Sequence, residues 1–397
     1  MIYANLKGMI LQMKKTIFAL TLLILIIISN NKVFAIDSNT SEILKQQQQS
    51  FGISDFIKET EKYSGEFLND IDISEMLTDA LVGKVDNNKI YKKVLNIFGN
   101  EVKKSIVTLI AILVIVVIHS ILKSLSDNLE NGNIAKIIYY VQYILIVSII
   151  MASFTDIISM IKDTTSNLVG FMNSLVPILI TLMTYTGSIV TGGIIQPIIL
   201  FMINFIGNMI QSVLIPLVMI IAVLSIVSKI SDKVQITKIT KFFKSSIVWF
   251  LGIILTVFVG VVSLEGSLSS SIDGITAKTA KAAVSSLIPV VGKILGDAVD
   301  SVLGCGVILK NALGIVGIVV IIGICIVPVI KLGVLTIIYN LGAAIIEPVS
   351  DEKIVKLLEE MGGTFKLLFA IICTLSAMLI IGVTLVVKIS NSGMMYK

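Results

Sequence analysis

Between Asp163 and Lys229 the chain carries no charged side chain. A bilayer core about 30 Å thick takes about 20 residues of helix, so this apolar run is too long for two crossings. Three fit, at about 168–188, 192–208 and 209–228, with Thr186-Gly187 through Gly192-Gly193 supplying one turn. Pro177, Pro197 and Pro216 each fall inside one of these helices, where a neighbouring helix or a cavity must satisfy the freed backbone carbonyl. They mark either broken helices or kinked packing helices.

Only 14% of the 397 residues are charged, with a mean hydropathy of +0.99, against about 25% charged in soluble domains. The fold class is all-α, a polytopic helical membrane protein. All 31 basic residues are lysine, so the arginine forks that grip phosphate are absent and nucleic-acid binding is not indicated. Cys305, Cys325 and Cys373 form no CxxC pair, and His119 is the single histidine. Two-histidine metal sites are excluded, no phosphate-binding glycine loop occurs, and neither a cofactor nor an enzyme is expected.

Lys14 and Lys15 precede an apolar run, 16–28, too short to span comfortably, followed by Val33-Phe34-Ala35. This is the pattern of a secretory signal peptide over 1–35, cleaved after Ala35. The mature chain then begins outside the cytoplasm with an amphipathic helical region, 36–104, whose apolar stripes suit helices lying on the membrane or against a partner. A first membrane bundle of about six spans occupies 105–264. It opens with spans at 105–122 and 137–154 and closes with one at 246–264.

Orientation follows from lysine. Lys229, Lys233, Lys238, Lys241 and Lys244 against Asp232 give one loop a net charge of +4, which marks it cytoplasmic. Starting outside at Ile36, an odd number of crossings must precede it. Beyond the loop, 307–397 holds the C-terminal spans, with Lys331 in a tight turn, a short amphipathic helix at 351–361 closed by Gly362-Gly363, and a lysine-bearing tail that prefers the cytoplasm. The tally is nine crossings, or seven if 332–346 and a neighbour only dip into the bilayer.

Segment 265–306 departs from the apolar pattern. Asp273, Lys278, Lys281, Lys293, Asp297 and Asp300 are threaded through small residues. Gly292 and Gly296 have the spacing that lets helices approach closely, and Pro289 divides the segment. It suits a polar hairpin or re-entrant pair that lines a water-filled path or docks a partner; an amphipathic surface loop laced by its own ion pairs is the plainer alternative.

The run DGITAKTAKAAVSSLIPVVGKILGDAVDSVLG, behind a signal peptide, an extracytoplasmic helical region and a polytopic body, resembles the stage III sporulation protein AE family of endospore-forming bacteria. The likeness covers nearly all of the mature chain. It implies a multi-pass protein of the mother-cell membrane around the forespore. Its implied partners are the other membrane proteins of an eight-member sporulation operon and a forespore membrane protein, in a channel or feeding-tube complex resembling secretion systems. A sister protein resembling a secretion ATPase would supply the nucleotide chemistry this chain lacks. Membrane lipid surrounds the chain, and homo-oligomerisation is compatible with it. A secondary transporter with broken helices around a midplane site and a purely structural scaffold are the alternative readings.

Overall fold

The computed structural model describes residues 53–63, 67, 73–82, 87–126, 132–230, 236–287 and 291–392, with side chains left aside at 54, 55, 79, 82, 87–91, 119, 123–126, 132–136, 267–303 and 389–392. The proposed signal peptide, 1–35, lies outside the described residues. No strand occurs among them, as all-α composition requires. The helices are α1 (Ile53–Tyr63), α2 (Ile73–Val82), α3 (Asn87–Ser126), α4 (Gly132–Tyr185), α5 (Ile189–Met209), α6 (Ile215–Ile230), α7 (Thr237–Leu287), α8 (Val291–Ile346) and α9 (Glu352–Ser392).

Six helical stretches among the described residues are long and apolar enough to cross a membrane: Lys92–Leu122, Ile137–Tyr185, Ile189–Ile230, Thr237–Gly266, Gly304–Ile346 and Glu352–Lys388. Expected breaks are absent. Asp156, Lys162 and Asp163 do not separate two spans but lie inside α4, a 54-residue helix about 80 Å long. Pro328 and Lys331 lie inside α8, and Gly362-Gly363 inside α9. The expected short amphipathic helix is therefore the first turns of α9, and the expected partial insertion at 332–346 is the end of α8. Helix α3 likewise runs through the expected boundary at 104/105. The physical reason is common to all: a backbone already bonded i to i−4 loses less by continuing through one glycine or proline than by exposing unpaired groups in an apolar setting.

Where the chain turns, sequence explains it. Gly187 adopts φ +96°, a left-handed conformation that glycine takes readily, and the Thr186-Gly187 turn joins α4 to α5. Between α5 and α6 the axis does not turn. Ile210–Leu214 forms a π-helical segment, closed by the Ile215 amide bonding to the Ile210 carbonyl. Pro216 follows at once. It can neither bond to Ser212 nor let its ring meet that carbonyl closely, and widening the preceding turn relieves both demands.

Three spans thus precede Lys229 rather than five, so the lysine loop keeps its side relative to the start of α3. Three span-capable stretches follow that loop among the described residues. Contacts agree with two distinct ends. Tyr139 Oη donates to the Lys229 carbonyl at 3.0 Å, Tyr143 Oη to the Ile226 carbonyl at 2.5 Å, and Lys244 Nζ to Glu360 Oε2 at 2.5 Å. The Lys353 ammonium lies 5.8 Å from the Tyr139 ring centre. At the other end Gly306 meets Tyr185 and Thr186, and Gly314 meets Val387.

The most extensive contact is α8 against α9, and α4 packs on both. Ile161, Leu168, Phe171, Leu175, Val320, Leu332, Phe365 and Met378 are all fully buried. Burying such a side chain contributes roughly 1.5–3 kcal/mol against water; within lipid, close packing carries the association instead. Gly317 lets Leu175 approach so closely that an added Cβ would sit 2.6 Å from its Cδ2. Helix α1 packs on α4 through Phe56 and Phe171, ring centres 6.0 Å apart, and α2 packs on α8.

One polar side chain fits this core poorly. Gln142 is buried, and neither amide atom has a hydrogen-bond partner among the described residues. Leaving such groups unmet costs about 1–3 kcal/mol. Gln142→Leu is expected to raise the thermal unfolding midpoint in detergent, and a lower midpoint would show that the amide is satisfied in the native protein.

Candidate functional site

Helix α4 carries a row of polar residues on one side. Thr155, Asp156, Ser159, Lys162, Asp163, Ser166 and Asn173 recur at intervals that a 3.6-residue period places on a common broad face. Asp156, Ser159, Lys162, Asp163 and Ser166 are exposed, whereas Ile157, Ile158, Ile161 and Leu168 behind them are buried. The charged group lies close to the midpoint of the 49-residue stretch Ile137–Tyr185. Apolar helix extends from it in both directions.

A cavity of about 440 Å³ opens along this face between α4 and α8. Asp156, Ser159, Asp163 and Asn167 line one wall; Gly323, Val327 and Pro328 line the other. Two features of α8 create the gap. Gly323 has no side chain to fill it, and Pro328 cannot donate to the Ile324 carbonyl, which lies in the same wall. The site therefore presents two carboxylates, a hydroxyl, an amide and a freed carbonyl to an open groove. Groups of that kind are readily hydrated. Among the described residues no cluster of three or more His, Cys, Asp or Glu could hold a metal ion.

On its other flank the α4 face meets α5. Asn173 and Asn204 exchange two hydrogen bonds, 3.1 and 2.9 Å, and Gln211 Nε2 donates to Ser166 Oγ at 3.0 Å. Further along α4, Tyr63 of α1 lies directly on Gly170. Hydroxyls elsewhere in the apolar helices fold back onto their own backbone, as Thr165 does to Ile161 and Thr181 to Pro177, both at 2.8 Å. This is how an apolar helix accommodates Thr and Ser.

The residues singled out from sequence lie elsewhere. Asp273, Lys278 and Lys281 fall in α7, and Gly292, Lys293, Gly296, Asp297 and Asp300 in α8. Pro289 and all of these side chains lie outside what the structure describes. The base of that segment is described: Cys305, Leu309 and Lys310 are buried, and Gly306 abuts the α4–α5 turn. Of the topology lysines, Lys229 lies in the last turn of α6, Lys238, Lys241 and Lys244 open α7, and Lys233 lies outside the described residues. Lys244 is more than a topology signal, since it ties α7 to Glu360 of α9.

The α4 groove was missed because its acids looked like the ends of spans. The signal that could have revealed it is the three-and-four spacing of Asp156, Ser159, Asp163 and Ser166 running through, not between, two apolar stretches.

Comparison with known proteins identifies one family. A sequence model of the family described as stage III sporulation protein AE matches residues 71–390. The stage III sporulation protein AE of Bacillus subtilis (strain 168) is 29% identical over 351 residues, covering 85% of this chain and 88% of the relative. No solved structure matches.

The groove has a direct test. In a cysteine-free background a charged thiol reagent is expected to modify Ser159→Cys at least about tenfold faster than Ile161→Cys, since the second position is sealed in the core. Equal rates would remove the groove.

Proposed function

The chain belongs to the stage III sporulation protein AE family, and from that membership we propose that it is a non-catalytic membrane subunit of a channel complex between mother cell and forespore. That it is a sporulation-family protein with several span-capable helices rests on the family match and the helical body together. The channel role, the mother-cell membrane and the partners are the finer reading. Its partners are the other membrane proteins of the same sporulation operon and a forespore membrane protein, and the polar segment 265–306 is the surface offered to them.

The observation that carries the channel reading is the polar α4 groove. Acidic and amide side chains inside a span-capable stretch are costly in lipid, and where they occur they face water-filled cavities or partners and mark pathways. Asp156 and Asp163 are exposed on such a stretch, beside a neighbouring helix that proline has opened. A pathway needs these properties; a scaffold has no use for them.

A secondary transporter is the second reading, favoured by the proline-interrupted wall of the groove, since discontinuous helices form many substrate sites. It predicts substrate-dependent flux by the purified protein in liposomes.

For the channel reading, Asp156→Asn with Asp163→Asn is expected to lower spore yield at least about tenfold after engulfment while the protein still accumulates in the membrane. Normal spore yield from the double variant would refute it.

A further inference from the structure

The α4–α5 face has a second property: it is complementary to itself. Asp156, Lys162 and Asp163 are exposed, and none forms an ion pair among the described residues. Beside them Asn204 and Asn208 lie exposed on α5, one turn apart, with Gln211 a further turn on in the π-helical segment. Asn208 Oδ1 accepts from Ser212 at 3.0 Å, but its amide N–H groups bond to nothing among the described residues, nor does Gln211 Oε1. Phe201 and Phe205, stacked with centres 5.9 Å apart, and Val213 border the row and are also exposed.

No charge occurs along Ile189 to Ser228, so this row lies within an apolar column. Hydrocarbon supplies neither a donor for the free oxygen nor an acceptor for the free N–H groups. The occupant must offer both, together with a cation for the acids and an anion for Lys162. A carboxamide both donates and accepts, and asparagine pairs in parallel helices are known to set dimer register. A two-fold axis along the membrane normal would bring Asn208 and Gln211 to their own equivalents and Lys162 toward the acids of the other chain, the isologous arrangement usual for dimers.

We propose that the α4–α5 face is where a second copy of this chain docks, with Asn208 and Gln211 forming the interchain amide row. The Phe201–Phe205 stack closes one side against lipid. The groove between α4 and α8 stays open beside the seam, so pairing brings two polar grooves near the dimer axis. This rests on the membrane architecture and does not require the channel reading.

The test uses the full chain in its own membranes. With Cys305, Cys325 and Cys373 each replaced by alanine, Asn208→Cys is expected to give an oxidant-dependent band at twice the monomer mass. Trp249→Cys, on the lipid-exposed side of α7, should give about tenfold less. Asn208→Leu with Gln211→Leu is expected to weaken crosslinking through Phe205→Cys by about tenfold, the worth of one or two interhelical hydrogen bonds in lipid. No dimer at Asn208, or equal dimer at Trp249, overturns the proposal. So does rapid modification of Asn208→Cys by a charged thiol reagent without dimer, which would mean that water or another protein occupies the face. Should the cysteine-free chain fail to accumulate, two differently tagged copies of the unaltered chain must co-purify in mild detergent; their separation would equally overturn it. Because spore yield is not the readout, failure here leaves the proposed role in sporulation standing.

Discussion

Hydrocarbon offers the peptide bond no hydrogen-bonding partner, and the rest of this structure depends on that constraint. Inside the bundle the chain can keep its carbonyls and amides bonded only by remaining helical. That is why 54 residues of α4 and 56 of α8 run without interruption past residues that would end helices in water. Among the described residues of the bundle the chain turns at Gly187. Pro177, Pro197 and Pro328 are absorbed inside continuous helices. Beside Pro328 lies the polar groove.

Much of the architecture was legible in composition. The uncharged run after Asp163 could only be helical and membrane-associated, and Gly187 marked a turn that the structure retains. The lysine-rich loop after Lys229 called for an odd count of preceding crossings, and among the described residues three span-capable stretches precede it. What could not be read was continuity. Asp156–Asp163, Lys331 and Gly362-Gly363 carry local signals for ending a span, and those signals were outweighed by contacts distant in sequence. Asp163 is level with Pro328 of α8, and Gly363 lies 3.4 Å, measured from an added Cβ, from Lys244 Nζ. Counting residues along one chain could not show either juxtaposition.

The candidate site shows the same division. Attention to net charge selected 265–306, where acids and lysines alternate among small residues. Attention to angular spacing selects α4, where polar groups are spread thinly but share a face. The second criterion found the groove because a helix long enough to pass through polar and apolar stretches alike retains a single phase. The lysine loop joins both views. Lys229 and Lys244 were read as markers of side, and in the structure the backbone of one and the ammonium of the other tie α4, α6, α7 and α9 at one end.

The widened turn at Ile210–Leu214 has a further effect. Along α5 and α6 the buried positions Ile206, Ile210, Leu214 and Val218 fall four residues apart, a rhythm that would make a regular α-helix precess around its own axis. The broader coil absorbs that precession, so both halves address the same neighbours. It behaves as a vernier between two lengths of helix: its extra residue is taken up within the coil, and the buried edges of the two halves stay in line.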